Sequence, residues 1–255
     1  VDQLTRWQQA QAAAQGQLQT AQAAQTAYVA QQAAANQLLA PLLSAWPPGV
    51  QLGPLWNRIQ TANLSRISVG QAPSAAGGIY LFCQVLNGDV ALNVGGCRTE
   101  LIASLPQYLQ TEGQMRRYTW KTLFPSALYK PDSPWQVFTQ WHHDGGTGTP
   151  PIQLEIHGST ARLRVMGDLP DEWVPWSAPL MLDHEYAFDL TLAASQDPAK
   201  GGIALSVDGQ VICAMTAHRT MLDTHLTLKQ GIYRHPAILS PMTVGHREMD
   251  VQFLA

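Results

Sequence analysis

Three short segments pair chemically capable residues two apart: Arg98-Thr99-Glu100-Leu101, Gln140-Trp141-His142 and Lys229-Gln230-Gly231-Ile232-Tyr233. In a β-strand, residues i, i+2 and i+4 share a face, so each segment would turn its functional groups toward one surface. Three such strands would gather an arginine, an amide, an imidazole and a phenol. That set suits removal of a proton next to a sugar carboxylate, followed by expulsion of the neighbouring glycosidic oxygen. The proton is weakly acidic, and charge developing on the carboxylate must be stabilised. Arg98 and the Gln140 amide are the candidate donors, an effect worth about 3 kcal/mol per well-placed donor. His142, with an ordinary pKa near ~6.5, is the candidate base. The Tyr233 phenol can protonate the departing oxygen, and in a syn geometry can perform both tasks.

Each group also has a structural reading. Arg98 and Glu100 can form an ion pair, His142 can be a satisfied sheet histidine, Lys229 can hold structure, and Tyr233 can be a core aromatic. Gly145-Gly146-Thr147-Gly148-Thr149 reads as a flexible loop at a groove edge, and it lacks the lysine and following helix of a phosphate loop. Trp141, Trp173 and Trp176 are candidate sugar-stacking platforms, although cores claim most tryptophans. His142, His143 and Asp144 do not suggest a metal site, because adjacent strand residues point apart. No essential transition metal or cofactor is expected, and calcium is not predicted.

The elements that must position these groups come from two regions of different composition. Residues 1–45 are dominated by Gln and Ala, with no proline before Pro41, which favours one long helix. A continuous helix of ~40 residues would reach roughly 60 Å. Heptads counted from Leu4 place Leu4, Trp7, Leu18, Tyr28, Leu39 and Leu42 on a weak a/d seam. We therefore expect a helical stalk that forms a coiled coil with copies of itself, a trimer favoured, or docks on a larger assembly; the alternative is a solvated linker. Trp46-Pro47-Pro48-Gly49 ends that region.

Residues 46–255 show short alternating or apolar runs typical of an all-β fold, among them 79–84, 90–94, 96–102, 117–124, 136–142, 152–157, 161–165, 185–192, 203–207, 211–215, 229–233 and 249–254. Two stacked antiparallel sheets are expected. In the run 151–157, Ile152, Leu154 and Ile156 would face the core, and Gln153, Glu155 and His157 would face outward.

Charged residues make up 13% of the chain, about half the usual ~25%. A net charge of -3 gives no general attraction to nucleic acid or anionic membrane, so a polyanion must be captured locally. No run of 18 apolar residues appears. Cys83, Cys97 and Cys213 match no zinc or redox spacing and read as buried free thiols, with a Cys83 to Cys97 bridge as the alternative.

Arg-Thr-Glu-Leu, Gln-x-His and Lys-x-Gly-x-Tyr, in that order, resemble the three signature regions of jelly-roll polysaccharide lyases, the group of the family seven alginate lyases, glucuronan lyases and heparin lyase I. The resemblance implies a concanavalin-like β-jelly-roll with a catalytic groove on one sheet, and β-elimination on a uronic-acid polymer. It implies His142 as base, Tyr233 as acid or acid-base, and Gln140 with Arg98 as carboxylate-neutralising groups. Lys229, Glu100, Gln153, Glu155, Trp141 and Arg234 are the further substrate-binding candidates. Ile102 stands where alginate lyases usually carry another arginine, and Thr227-Leu228 replaces the usual aromatic pair; both changes bear on the substrate. The stalk adds the expectation of an extracellular setting, either a phage tail-associated depolymerase or a secreted lyase. The rival expectation is a non-catalytic carbohydrate-binding or structural module using the same sheet.

Overall fold

Alternation of apolar and polar residues sets the fold from residue 55 onward. The computed structural model describes residues 11–17, 19, 20, 22, 23, 26, 55–72, 78–90, 96–143 and 148–254. In chain order the strands are β1 (Arg58–Thr61), β2 (Ile67–Gln71), β3 (Ile79–Val85), β4 (Cys97–Ala103), β5 (Gln110–Thr111), β6 (Met115–Leu123), β7 (Gln136–His143) and β8 (Ile152–His157). They continue as β9 (Thr160–Val165), β10 (Trp173–Pro179), β11 (Glu185–Ala193), β12 (Gly202–Val207), β13 (Gln210–Ala217), β14 (His225–Arg234) and β15 (Met242–Leu254).

They form two sheets with antiparallel pairing. One runs β1-β4-β14-β7-β8-β9-β10, with β5 also paired to β14; the other runs β13-β12-β11-β6-β15-β3-β2. This is the expected mainly β sandwich, consistent with a jelly roll. Ile152, Leu154 and Ile156 are fully buried in the core, as the alternation of β8 predicts. The opposite sheet supplies Trp120, Phe188 and Leu190 to the same core. Trp120 stacks on Phe188 at 5.0 Å between ring centroids, and Phe124 meets Phe138 edge-on at 5.1 Å. Such pairs add about 0.5–1.5 kcal/mol each beyond the area they bury.

Strands β1, β2, β5 and β10 are additional to the runs expected from sequence. The run at 90–94 places only Val90 among the described residues, and Val90 lies outside any strand. Cys83 and Cys97 are buried free thiols; Cys213 is free and half-buried. Residues 11–17, 19, 20, 22, 23 and 26 are helical and exposed. The remainder of the expected stalk lies outside the described residues.

Candidate active site

The three polar segments lie on adjacent strands of the eight-stranded sheet, with β14 between β4 and β7. In that register Tyr233 stands opposite Arg98, Gly231 opposite Glu100, and Lys229 opposite both Ile102 and Gln140. Gln140 in turn faces Gln153, and His142 faces Thr227. Two irregularities adjust the faces. Pairing shifts between Gln230 and Tyr233 on β14, and between Val137 and Thr139 on β7. A bulge of this kind kinks the strand and re-aims side chains.

The glycine of Lys-x-Gly-x-Tyr has a steric cause. Gly231 has φ +151°, and a Cβ there would overlap the Thr99 carbonyl and the Glu100 backbone of β4. From below, buried His246 of β15 holds the Gly231 carbonyl at 3.1 Å through Nε2, and its Nδ1 lies 3.1 Å from the Thr122 hydroxyl. A carbonyl only accepts, so Nε2 carries the proton and Nδ1 accepts from Thr122 in the neutral ring. Burial pushes the His246 pKa down to about 4, which keeps that tautomer neutral.

Glu100 is the hub of the site's floor. It is 2% exposed. One carboxylate oxygen accepts from Arg98 Nη1 at 3.3 Å, and the other from the Gln140 amide. Arg98 Nη1 also donates to Gln60 Oε1 at 3.3 Å, tying β1 into the cluster. Gln140 is fully covered. Glu100 is therefore a support that holds both donors.

Tyr233, His142 and Lys229 reach the surface above this floor. The Arg98 guanidinium lies 3.7 Å over the Tyr233 ring, and Trp135 packs edge-on against it at 4.8 Å. His142 Nδ1 lies 2.6 Å from the His143 carbonyl. Because the carbonyl only accepts, Nδ1 bears the proton and Nε2 keeps its lone pair. Burial, then the Lys229 charge, pushes the His142 pKa down to about 4. Burial also lowers the pKa of Lys229, against the pull of Glu100, which raises it. Arg98 contributes to the lowering at His142 as well. One guanidinium thus contacts the phenol and bears electrostatically on the imidazole.

Beyond Tyr233 lies an open hollow of about 370 Å³, lined by Trp135, Val137, Gln153, Glu155, Asp168 and Tyr233 among others. His142 is not part of its lining; the hollow crosses from Tyr233 of β14 over Val137 of β7 to Gln153 and Glu155 of β8 and Arg164 of β9. Gly148 and Thr149, the end of the glycine-rich segment, also border it. The Thr149 hydroxyl donates to Asp168 at 2.5 Å. Residues 144–147, including Asp144, lie outside the described residues. Trp135 was missed by the sequence reading; its place immediately before β7, two residues from Val137, was the available signal.

Two further expectations are corrected. Trp141 is fully buried and meets Tyr118 and Trp120 edge-on at 5.0 and 5.9 Å, because its odd-even position next to Gln140 and His142 turns it into the core. Arg234, adjacent to Tyr233, is likewise fully buried and donates to the Ser240 carbonyl. Neither presents a surface to a sugar. Trp176 packs edge-on against Phe188 in the core, and Trp173 stacks on His218 at 5.3 Å.

The polysaccharide lyase family model matches residues 54–250, which span the whole sandwich and all three segments. The chain belongs to the polysaccharide lyase family. It is thus a lyase, an enzyme of β-elimination. No curated protein matches it in sequence. Among solved structures, this lyase resembles alginate lyase Aly36B in complex with alginate trisaccharide, at TM-score 0.54 and 12% identity over 77% of this chain and 88% of that one. It also resembles the family 7 alginate lyase A1-II' in complex with substrate, at TM-score 0.51 and 10% identity over 74% and 93% of the two chains. At these identities the likeness is one of fold.

Proposed function

We propose that this lyase cleaves a uronic-acid-containing polysaccharide, with His142 as base and Tyr233 as acid. The observation that carries the reading is the tautomer at His142: Nδ1 is committed to the His143 carbonyl, which leaves Nε2 as the acceptor beside two cations. Lys229 and Arg98 supply the positive field for a uronate carboxylate, and Gln140 steadies Glu100 one layer below. The direct carboxylate contact expected of Gln140 passes to Lys229, which reaches the surface.

The low pKa of His142 fits this sequence of events. A base with pKa near 4 is weak; burial is the largest cause and the Lys229 and Arg98 charges add to it, and an arriving carboxylate offsets that charge contribution. Substrate binding therefore raises the basicity of the group that must take the proton. Proton loss next to the carboxylate forms a carbon-carbon double bond as the glycosidic carbon-oxygen bond breaks. The departing oxygen takes the Tyr233 proton, and no water is consumed. General acid and base groups typically contribute about 10²–10⁴-fold each.

The test is ultraviolet absorbance of the unsaturated uronate product over a panel of uronic-acid polysaccharides, using wild type and a His142→Ala, Tyr233→Phe double variant. We expect a rise that the double variant loses; a rise retained by the double variant would reject the assignment.

The setting proposed for the enzyme is extracellular, as a phage tail-associated depolymerase presented by a homo-oligomeric N-terminal stalk, a trimer favoured. Its support is the exposed helical residues within 11–26 and the Gln/Ala-rich composition around them. Sedimentation of the full chain against residues 46–255 tests it, with a trimer expected only for the full chain.

A further inference from the structure

The two ends of the site carry opposite charge. On the His142 side, Lys229 lies within the fields of Arg98 and Arg58, and Glu100 is the carboxylate among them. Around the hollow that Tyr233 lines the balance reverses. Glu155 is 1% exposed, accepts from Gln153 Nε2 at 2.6 Å, and is paired to Arg162 at 2.6 Å. Arg164, which borders the hollow, is held by Glu172 at 2.8 Å and Asp168 at 2.6 Å. Glu155, Asp168 and Glu172 thus outnumber Arg162 and Arg164, and both guanidiniums are engaged.

A uronate in this hollow would bring its carboxylate against Glu155 and Asp168, with each neighbouring described arginine already paired. Like charges in a partly desolvated site repel strongly, whereas hydroxyl and amide groups of an uncharged sugar can donate to the same oxygens. Trp135 adds an apolar wall for the C–H face of a sugar ring. Tyr233 lines this hollow whereas Lys229 and His142 do not, and Tyr233 is the group that meets the glycosidic oxygen in the proposed function, on which this argument rests.

We infer that the hollow between Trp135, Glu155, Asp168 and Tyr233 takes an uncharged hexose or N-acetylhexosamine, so that the substrate alternates uronate with an uncharged sugar. The uncharged sugar lies on the leaving side. After the proton is lost from the uronate and the double bond forms, this sugar departs with the oxygen that Tyr233 protonates, as a new reducing end.

Calorimetric binding to a His142→Ala variant, which leaves the hollow intact, tests this with two tetrasaccharides of equal length: one alternating uronate with an uncharged sugar, one of uronates only. We expect the alternating chain to bind at least tenfold more tightly, and Asp168→Asn, which releases part of the Arg164 charge, to narrow the gap severalfold. Equal or tighter binding of the uronate-only chain, or no binding of the alternating one, overturns the inference. Wild-type product formation reports separately on the lyase chemistry. Elimination of uronate-only chains with poor binding of the alternating one removes the inference and leaves the lyase assignment; tight alternating binding with no product on any polymer does the reverse. Using a neutral-hexose and an N-acetylhexosamine version of the alternating chain tells the two sources apart.

Discussion

The guanidinium carbon of Arg98 lies over the Tyr233 ring, 3.7 Å from its centroid, because the two residues stand directly opposite each other on β4 and β14. A cation over the ring face is attracted by its quadrupole. The same guanidinium is anchored by Glu100 and Gln60. Tyr233 is thereby placed by one side chain.

Arg98→Lys keeps the charge but loses the planar fork and the stacked geometry. We expect kcat to fall about 10²–10³-fold, the scale of losing one preorganised donor. Tyr233→Phe retains the Trp135 contact, so it should lose a comparable factor in kcat with little change in Tm. Steady-state kinetics with thermal melts on both variants check this.

Gly96 tests how tightly Tyr233 is held. It has φ +73°, and a Cβ there would overlap the Tyr233 ring and crowd its hydroxyl. Gly96→Ala should cost about 1–3 kcal/mol from the backbone alone, and should lower kcat by moving the phenol. Urea unfolding and product formation measure the two effects.

Glu100→Ala leaves Arg98 as a buried charge without its carboxylate. The expected loss is about 3–5 kcal/mol, read by denaturant unfolding. Glu100→Gln retains the volume and should lose less stability, while still lowering kcat through the misplaced Arg98 and Gln140.

Two histidines set the acid limb of stability. His142 and His246 each have a folded pKa pushed down to about 4, below the ordinary value of 6.5. Between these values the unfolded chain binds protons that the folded chain does not, so stability rises with pH. It should be fully present above about 6.5 and fall as pH drops toward 4; His246→Gln should flatten part of that slope in pH-dependent unfolding.

The same shift governs activity. The acid limb of kcat/KM reports the free enzyme and should lie near 4, while that of kcat, which reports the complex, should lie higher because the substrate carboxylate screens Lys229. Lys229→Met should raise the kcat/KM limb. A limb unmoved by this substitution would mean that Lys229 does not act on His142.

Much of this enzyme follows from local chemistry along the chain. The alternation in Ile152–His157 fixed which residues face the core, and the i, i+2 pairing in Gln140-Trp141-His142 and Arg98-Thr99-Glu100 set their groups on one face. Strand period is a property of the backbone, so it is legible in one dimension. By the same period Trp141 and Arg234 had to turn inward, although their residue types suggested sugar contact. What the tertiary structure alone decided is which strands are neighbours and how the bulges re-aim them. Only the β4-β14-β7 order makes Glu100 a buried hub and lays Arg98 on Tyr233. The acidic hollow depends on side chains from β7, β8, β9 and the turn at Asp168, brought together across long separations in sequence. Those contacts depend on packing in three dimensions, and no spacing within a single strand encodes them.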